Sequence, residues 1–124
     1  MKKILIVEDE QPLQQVLKYK LEKNGNYQIF QAYDGIEGLE MSLRERPDLI
    51  VLDIMMPKMD GMAMLKQLRK NKKWGENAKI LMLTNLDGSD HVSQAAEQGV
   101  FDYLVKNDWG IENVTNKIEE MLKK

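Results

Sequence analysis

The chain has 124 residues, which suits one compact domain and leaves little room for a second. Its 18 basic and 20 acidic residues give a net charge of -2, so nothing in the overall charge favours direct binding to nucleic acid or to an anionic membrane. Cysteine is absent, which excludes disulfides, thiolate metal sites and thiol nucleophiles. This composition is compatible with a cytoplasmic location, which we therefore expect.

The hydrophobic pattern predicts five strands. The first apolar run meets acidic residues at once, so it is too short for a signal peptide or a membrane span and is interpreted as a strand. The predicted strands are Ile4–Val7, Tyr27–Ala32, Leu49–Leu52, Lys79–Thr84 and Phe101–Val105.

The segments between the strands predict helices with one apolar side. The first helix begins near Pro12 and ends at Asn24-Gly25. In the second helix, Asp34 and Glu37 form a capping-box pattern. The third helix follows Asp60-Gly61, the fourth covers residues 89–98 with a weak apolar side, and the fifth follows strand five. The residues expected to face inward in the first two helices are Leu13, Val16, Leu17, Leu21, Ile36, Leu39 and Leu43.

Strands and helices alternate in units of about 20 to 25 residues, the length that right-handed crossovers between parallel strands require. The sequence therefore predicts a single α/β domain over residues 1–124, with a doubly wound parallel sheet between helices. Residues 71–77 are predicted to be an irregular charged loop.

Polar residues follow four of the five predicted strands. Glu8 and Asp9 follow the first strand, and Asp53 follows the third. Thr84 ends the fourth strand and Lys106 follows the fifth. In an open parallel sheet, ligands bind beyond the carboxyl ends of the strands, so we expect these side chains to lie around one site.

Three carboxylates at one edge repel each other. At a separation of about 4 Å and an effective dielectric constant near 20, each pair costs about 4 kcal/mol. Protonation of one carboxylate or a bound cation would remove this cost, and an open cluster of oxygen ligands suits Mg²⁺. The predicted metal ligands are Glu8, Asp9, Asp53 and the backbone carbonyl of Met55.

Thr84 and Lys106 suit the opposite charge. A lysine ammonium and a threonine hydroxyl donate hydrogen bonds to an anion, so the same site has groups for a cation and for a phosphate-like anion. Asp53 lies between them and can act as a nucleophile, since carboxylates form aspartyl-phosphates. The residues alone therefore favour phosphoryl transfer to Asp53.

The ordered set VEDE, VLDIMMPKMDG, LMLTN and FDYLVK resembles the receiver domain of bacterial two-component response regulators, over essentially the whole chain. The resemblance implies a flavodoxin-like sheet of order 2-1-3-4-5. It implies that Asp53 accepts phosphate, that Asp9 and Glu8 bind Mg²⁺ (which Mn²⁺ can replace), and that Thr84 and Lys106 hold the phosphoryl oxygens. Thr84 and Tyr103 would form the conformational switch.

The same resemblance implies partners and a regulatory role. A histidine kinase or phosphotransfer protein would donate the phosphoryl group. The surface formed by the fourth helix, fifth strand and fifth helix would contact a downstream protein or a second copy. Such a domain assists its own phosphorylation and dephosphorylation and is a regulator and not a conventional enzyme.

Two positions depart from the usual family pattern. Asn107 replaces the proline that usually follows the lysine through a cis bond, and a cis bond before a residue other than proline costs about 2.5–4 kcal/mol. Asn85 replaces a small residue after Thr84. Family geometry also places Met55 and Leu86 beside the path of the hydrolytic water, and neither side chain can orient water.

Three other classes of protein are alternatives to a phosphorylated receiver domain. A flavodoxin-like flavoprotein needs a phosphate-binding loop after the first strand, where this chain has the acidic EDEQ. A haloacid-dehalogenase-like phosphatase needs a second aspartate where Met55 stands. A receiver-like interaction module that is never phosphorylated remains the main alternative. The kinase, the pathway, the output, the oligomeric state and whether the domain acts alone stay open.

Overall fold

The computed structural model describes residues 1–84, 89–100, 102–105 and 110–123, without the side chains of residues 24, 84, 89–92 and 105. Its five strands form one parallel sheet in the order β2-β1-β3-β4-β5, which confirms the predicted topology. The strands are β1 Lys2–Val7, β2 Tyr27–Ala32, β3 Leu49–Asp53, β4 Ile80–Thr84 and β5 Tyr103–Val105.

Five α-helices connect or follow these strands, as the sequence predicts. They are α1 Gln11–Asn24, α2 Gly35–Glu45, α3 Gly61–Arg69, α4 Ser89–Glu97 and α5 Ile111–Leu122. A short 3₁₀ helix, Gly75–Asn77, lies within the stretch predicted to be irregular. The strand predictions were wrong by one or two residues at several ends: β1 begins at Lys2, β3 includes Asp53 and β4 begins at Ile80.

The sheet has an apolar core on each face, because successive residues of a strand point to opposite sides. Leu5 and Val7 of β1 pack with α3, whereas Ile4 and Ile6 pack with α1 and α5. All four of these β1 side chains are buried. No helix in the described part of the chain is both long and apolar enough to cross a membrane.

The prediction of inward residues was wrong for two of the three apolar positions in α2, whereas Leu39 is partly buried and packs against the core as expected. Ile36 and Leu43 are exposed, and the buried positions are instead Gly35, Gly38 and Ser42. A Cβ atom on Gly38 would lie 2.8 Å from Val7 Cγ1, so the helix approaches the sheet too closely for a larger residue. The small residues therefore occupy the closest contact with the sheet, and Ile36 and Leu43 lie outside it.

The same prediction was wrong at Val16 of α1, which is exposed. The inward positions are Gln14, Leu17 and Leu21, all fully buried. The helix thus places a glutamine where the apolar pattern suggested valine. This glutamine lies close to the carboxyl end of β1, where the candidate site begins.

Candidate functional site

The register of the sheet places the ends of four strands beside one another. Val7 pairs with Leu52, and Asp53 pairs with Leu83. Thr84 in turn pairs with Val105. Glu8 and Asp9, Asp53 and Thr84 therefore follow one another along the carboxyl edge, in the arrangement that the sequence predicts.

The three predicted acidic residues form one cluster. Each of Glu8, Asp9 and Asp53 offers a carboxylate oxygen, and these three oxygens all lie within 4.8 Å of one another. Glu8 and Asp53 are buried, and Asp9 is exposed. The prediction that these carboxylates come together is confirmed, and the exposed Asp9 leaves the cluster accessible from solvent.

Gln14 fixes the backbone beneath the acidic cluster. Its carboxamide nitrogen donates to the carbonyl oxygens of Ile6 at 2.9 Å, Ala32 at 2.8 Å and Glu8 at 3.2 Å. The carboxamide oxygen accepts from Gln31 Nε2 at 3.2 Å. Sequence reasoning missed this residue, although a glutamine three and seven residues before Leu17 and Leu21 is the signal that could have revealed it.

The backbone of Asp53 lies against the start of α3. The Gly61 amide donates to the Ile54 carbonyl at 2.8 Å, and a side chain at Gly61 would overlap the carbonyl oxygen of Asp53. Asp60 caps α3 by accepting a hydrogen bond from the Ala63 amide at 2.8 Å. The glycine of the MDG sequence therefore lets the helix begin directly on the strand that carries the acidic residue.

The loop between β3 and α3 contains a strained turn. The Met59 amide donates to the Pro57 carbonyl at 2.7 Å, and Lys58 between them has a φ angle of 67°. A γ-turn of this hand is rare for a residue with a side chain. Two contacts to the start of α2 hold it: Gly35 N donates to the Met59 carbonyl at 2.9 Å, and Lys58 lies 3.6 Å from Asp34.

The structure describes some of the remaining predicted site residues completely, one only in its backbone, and others not at all. Met55 is 58% exposed beside the cluster, and the role of its carbonyl stays a prediction. Tyr103 is 43% exposed on β5. The backbone of Thr84 is at the site edge, but its side chain is not among those described. Lys106, Asn107, Asn85 and Leu86 lie outside the described residues, as does the question of a cis bond after Lys106.

An ion pair fastens α5 beside the start of β5. Lys117 Nζ lies 3.0 Å from Asp102 Oδ1 and 3.8 Å from a Glu120 oxygen. The hydrogen bond with Asp102 raises the pKa of Lys117 above its ordinary value. The lysine therefore remains charged at neutral pH and ties the last helix to the edge of the sheet next to Tyr103.

Comparison with known proteins identifies the class. The family model described as the response regulator receiver domain matches residues 4–119. The PhoP regulator of alkaline phosphatase synthesis from Bacillus subtilis is 45% identical over 105 residues, which cover 85% of this chain and 42% of that protein. The response regulator MprA of Mycobacterium leprae is 37% identical over 122 residues, covering 98% of this chain and 51% of that protein.

Solved structures agree with the sequence comparison. The receiver domain of the Francisella response regulator 1452 is 32% identical, with a TM-score of 0.87, and the alignment covers 99% of this chain and 98% of that one. The chemotaxis response regulator CheY4 of Vibrio cholerae is 29% identical, with a TM-score of 0.87 over 98% of this chain and 99% of that one.

The chain belongs to the response regulator receiver domain family. It is a regulatory phosphoacceptor domain with the flavodoxin-like arrangement of that family. It spans about half the length of the curated relatives named above, or less.

Proposed function

We propose that Asp53 accepts a phosphoryl group from a histidine kinase or phosphotransfer protein, and that this reaction controls the surface of α4, β5 and α5. One observation carries the proposal: the oxygens of Glu8, Asp9 and Asp53 lie within 4.8 Å at the carboxyl edge of the sheet. Clustered carboxylates at this position suit a cation, and a cation lets a phosphoryl group approach an aspartate.

The chemistry of the cluster fits a divalent cation. Three carboxylates supply hard oxygen ligands, and the exposed Asp9 leaves the cluster open to water. Glu8, Asp9, Asp53 and the carbonyl of Met55 would hold Mg²⁺, and Mn²⁺ could replace it. When bound, the ion supplies positive charge that offsets the repulsion between the carboxylates and the phosphoryl oxygens.

The residues of the chain have distinct roles in the transfer. A carboxylate oxygen of Asp53 forms the new O–P bond while the P–N bond of the donor phosphohistidine breaks, and the imidazole leaves with that electron pair. The Thr84 hydroxyl and the Lys106 ammonium donate hydrogen bonds to the phosphoryl oxygens. Water later attacks phosphorus, the P–O bond to Asp53 breaks, and inorganic phosphate leaves, which returns Asp53 to its free carboxylate.

The phosphoryl group acts as a switch through these contacts. The Thr84 hydroxyl moves toward it, and Tyr103 occupies the space that becomes free. A phosphoryl group shifts a conformational balance only through such differential contacts. The changed surface then binds a downstream protein or a second copy in the cytoplasm, without contacting nucleic acid directly.

Intact-mass measurement tests the acceptor. Incubation with Mg²⁺ and acetyl phosphate should add one phosphoryl group to the chain. Asp53→Asn should abolish the gain, and Asp9→Ala should abolish or greatly slow it. Glu22→Gln, an exposed substitution on α1, is the matched control and should behave as the unaltered chain.

Each contrary outcome has a distinct meaning. No gain of mass under any condition would identify a receiver-like interaction module. Continuous consumption of the donor without accumulation on the chain would indicate a phosphatase. Phosphorylation of Asp9→Ala at the normal rate would overturn the metal role.

Amide exchange tests the switch surface. Phosphorylation should change exchange in α4, β5 and α5 and leave α1 and α2 nearly unchanged. A change confined to α1 and α2 would contradict the assignment of the output surface, even if Asp53 is phosphorylated.

A further inference from the structure

A groove lies along α3, and none of the three acidic residues of the cluster is among its lining residues. It has a volume of about 630 Å³ and runs between α3 and the residues that follow α4. Its lining consists of Ala63, Lys66, Gln67, Arg69, Lys70, Lys72 and Gln98. Four of these side chains are cationic and none is acidic, on a chain whose net charge is -2.

Among the described residues, few acidic groups lie close enough to neutralise the lysines of this basic groove. Lys66 and Lys70 are exposed and form no ion pair within the described part of the chain. Lys72 is 83% exposed and has one acidic neighbour, Glu76, at 3.8 Å. A surface pair at that distance contributes little and exchanges readily for another carboxylate. The end of a helix favours one or two cations, but Lys72 lies beyond the last turn of α3.

Arg69 is held at the floor of the groove by neutral groups. Its Nε donates to the Gln98 carbonyl at 2.7 Å, and its Nη1 donates to the carbonyls of Gly75 and Ala78, both at 2.8 Å. No carboxylate among the described residues pairs with it, and partial burial lowers its pKa from the ordinary value. The guanidinium keeps its charge at neutral pH because arginine is not deprotonated in proteins.

The position of Arg69 leaves donors for a ligand. A guanidinium carries five N–H groups, and the described hydrogen bonds of Arg69 do not use Nη2. An incoming carboxylate would therefore meet a guanidinium that is already held in place and two exposed lysines one helical turn apart. The methylene stems of Lys66 and Lys70, with Ala63, add apolar surface between the charges.

The extent of the positive charge distinguishes between classes of ligand. The hollow next to the groove shares Arg69 and Gln98 with it but is also lined by Glu76 and Asp102. A nucleic acid carries a phosphate at every step, so a strand continuing past the groove would meet those carboxylates. A short segment with a few acidic side chains fits the confined positive region without that repulsion.

We propose that the basic groove binds an acidic peptide segment of a partner protein, with two or more carboxylates on Lys66, Arg69 and Lys70. The bound segment also contacts the residues after α4 through Gln98, so the groove reaches the helix that the phosphorylation switch uses. This site is separate from Asp53 and requires no phosphorylation for binding.

Titration with a fluorescein-labelled peptide of alternating glutamate and leucine tests the site by fluorescence anisotropy. The full 124-residue chain should bind it saturably, with affinity that falls as NaCl is raised. Lys66→Gln with Lys70→Gln should weaken binding at least tenfold. Lys18→Gln with Lys23→Gln, which makes the same charge change on α1 at the opposite face of the sheet, should alter it less than twofold.

Amide chemical shifts locate the peptide, and shifts at Gln67, Lys70 and Gln98 are expected. No saturation by about 1 mM peptide, the weak end of specific association, would overturn the proposal. Equal weakening by the two double variants, or shifts confined to other surfaces, would also overturn it. A single-stranded DNA of equal charge that binds more tightly and gives the same shifts would overturn the peptide as the ligand class.

Discussion

The two halves of the carboxyl edge are supported in different ways. Beside β1 and β3, Glu8 and Gln14 are fully buried, and α3 buries Gly61 and four apolar side chains. Beside β4, Ala95 is the single buried residue among the described side chains of α4. A helix with little apolar burial shifts at a smaller cost in free energy than one packed into the core. The acidic cluster thus rests on a fixed support, while the neighbouring helix can respond.

Removal of the Gln14 carboxamide should have the largest effect of the changes considered, because it weakens the support of the acidic cluster. Gln14→Leu takes away three hydrogen bonds to buried carbonyls, including that of Glu8, and should lower the free energy of unfolding by roughly 3 kcal/mol. Urea denaturation measures the change. Gln15→Leu, one residue away and exposed, is the control and should change stability by less than about 0.5 kcal/mol. Equal stability of both variants would show that the buried amide does not support the cluster.

Loss of the Arg69 side chain should loosen the other half. Arg69→Met removes the hydrogen bond that holds the Gln98 carbonyl, together with those to Gly75 and Ala78. Because the side chain is only partly buried, we expect a loss of about 2 kcal/mol. Amide exchange of Val100 should accelerate more than that of Leu65 in α3. Arg44→Met serves as the exposed control, and equal acceleration at Val100 and Leu65 would remove the distinction between the two halves.

The lifetime of the phosphorylated state depends on one residue from each half of the carboxyl edge. Met55 comes from the β3 side and Leu86 follows β4, and the family resemblance places both beside the path of the attacking water. Because neither orients water, we expect a lifetime of minutes or longer. Met55→Asn with Leu86→Glu should accelerate loss of phosphate about tenfold, a barrier change of roughly 1.4 kcal/mol.

Intact-mass measurements over time follow this decay. The single variants serve as controls and should give intermediate rates. Decay of the unaltered chain within seconds, or an unchanged rate in the double variant, would contradict the prediction.

The smallest effect on stability is expected from the ion pair between Lys117 of α5 and Asp102, which precedes β5. The pKa of Lys117 is raised in the folded chain, so the stability from its pair with Asp102 is fully present below about pH 10.5 and is lost as pH rises through the raised value. Both side chains are partly exposed, which limits the contribution to roughly 0.5 kcal/mol. Asp102→Asn should therefore be less stable than the unaltered chain at pH 8, and the difference should disappear once the pH exceeds the raised pKa of Lys117. A difference that persists at high pH would exclude the ion pair as its cause.

Much of this architecture could be predicted because the strands are continuous apolar runs. The pattern Leu49–Leu52 followed by Asp53 indicated both a buried strand and its functional end. The acidic cluster followed from the parallel arrangement alone, because that arrangement brings Glu8, Asp9 and Asp53 to the same edge.

Two inward positions of α1 and α2 could not be predicted from hydrophobicity, although the apolar pattern did indicate Leu17, Leu21 and Leu39. Gln14 is buried because its amide meets three carbonyls, and Gly38 is buried because no side chain fits against Val7. Both reasons depend on neighbours that are distant in sequence. The floor of the basic groove was missed for the same reason, since Arg69 takes its position from carbonyls on two separate segments.

The close contact that Gly61 permits determines which helix can move when Asp53 is phosphorylated. Because the start of α3 lies directly against the main chain of Asp53, we expect a tilt of this helix to displace Asp53 relative to Glu8 and Asp9. We therefore expect α3 to keep its position when Asp53 is phosphorylated. The conformational change should instead pass along the carboxyl edge of the sheet to α4. For the design of biosensors, this favours attaching one dye to α3 and the other to α4, so that only one end of the measured distance moves.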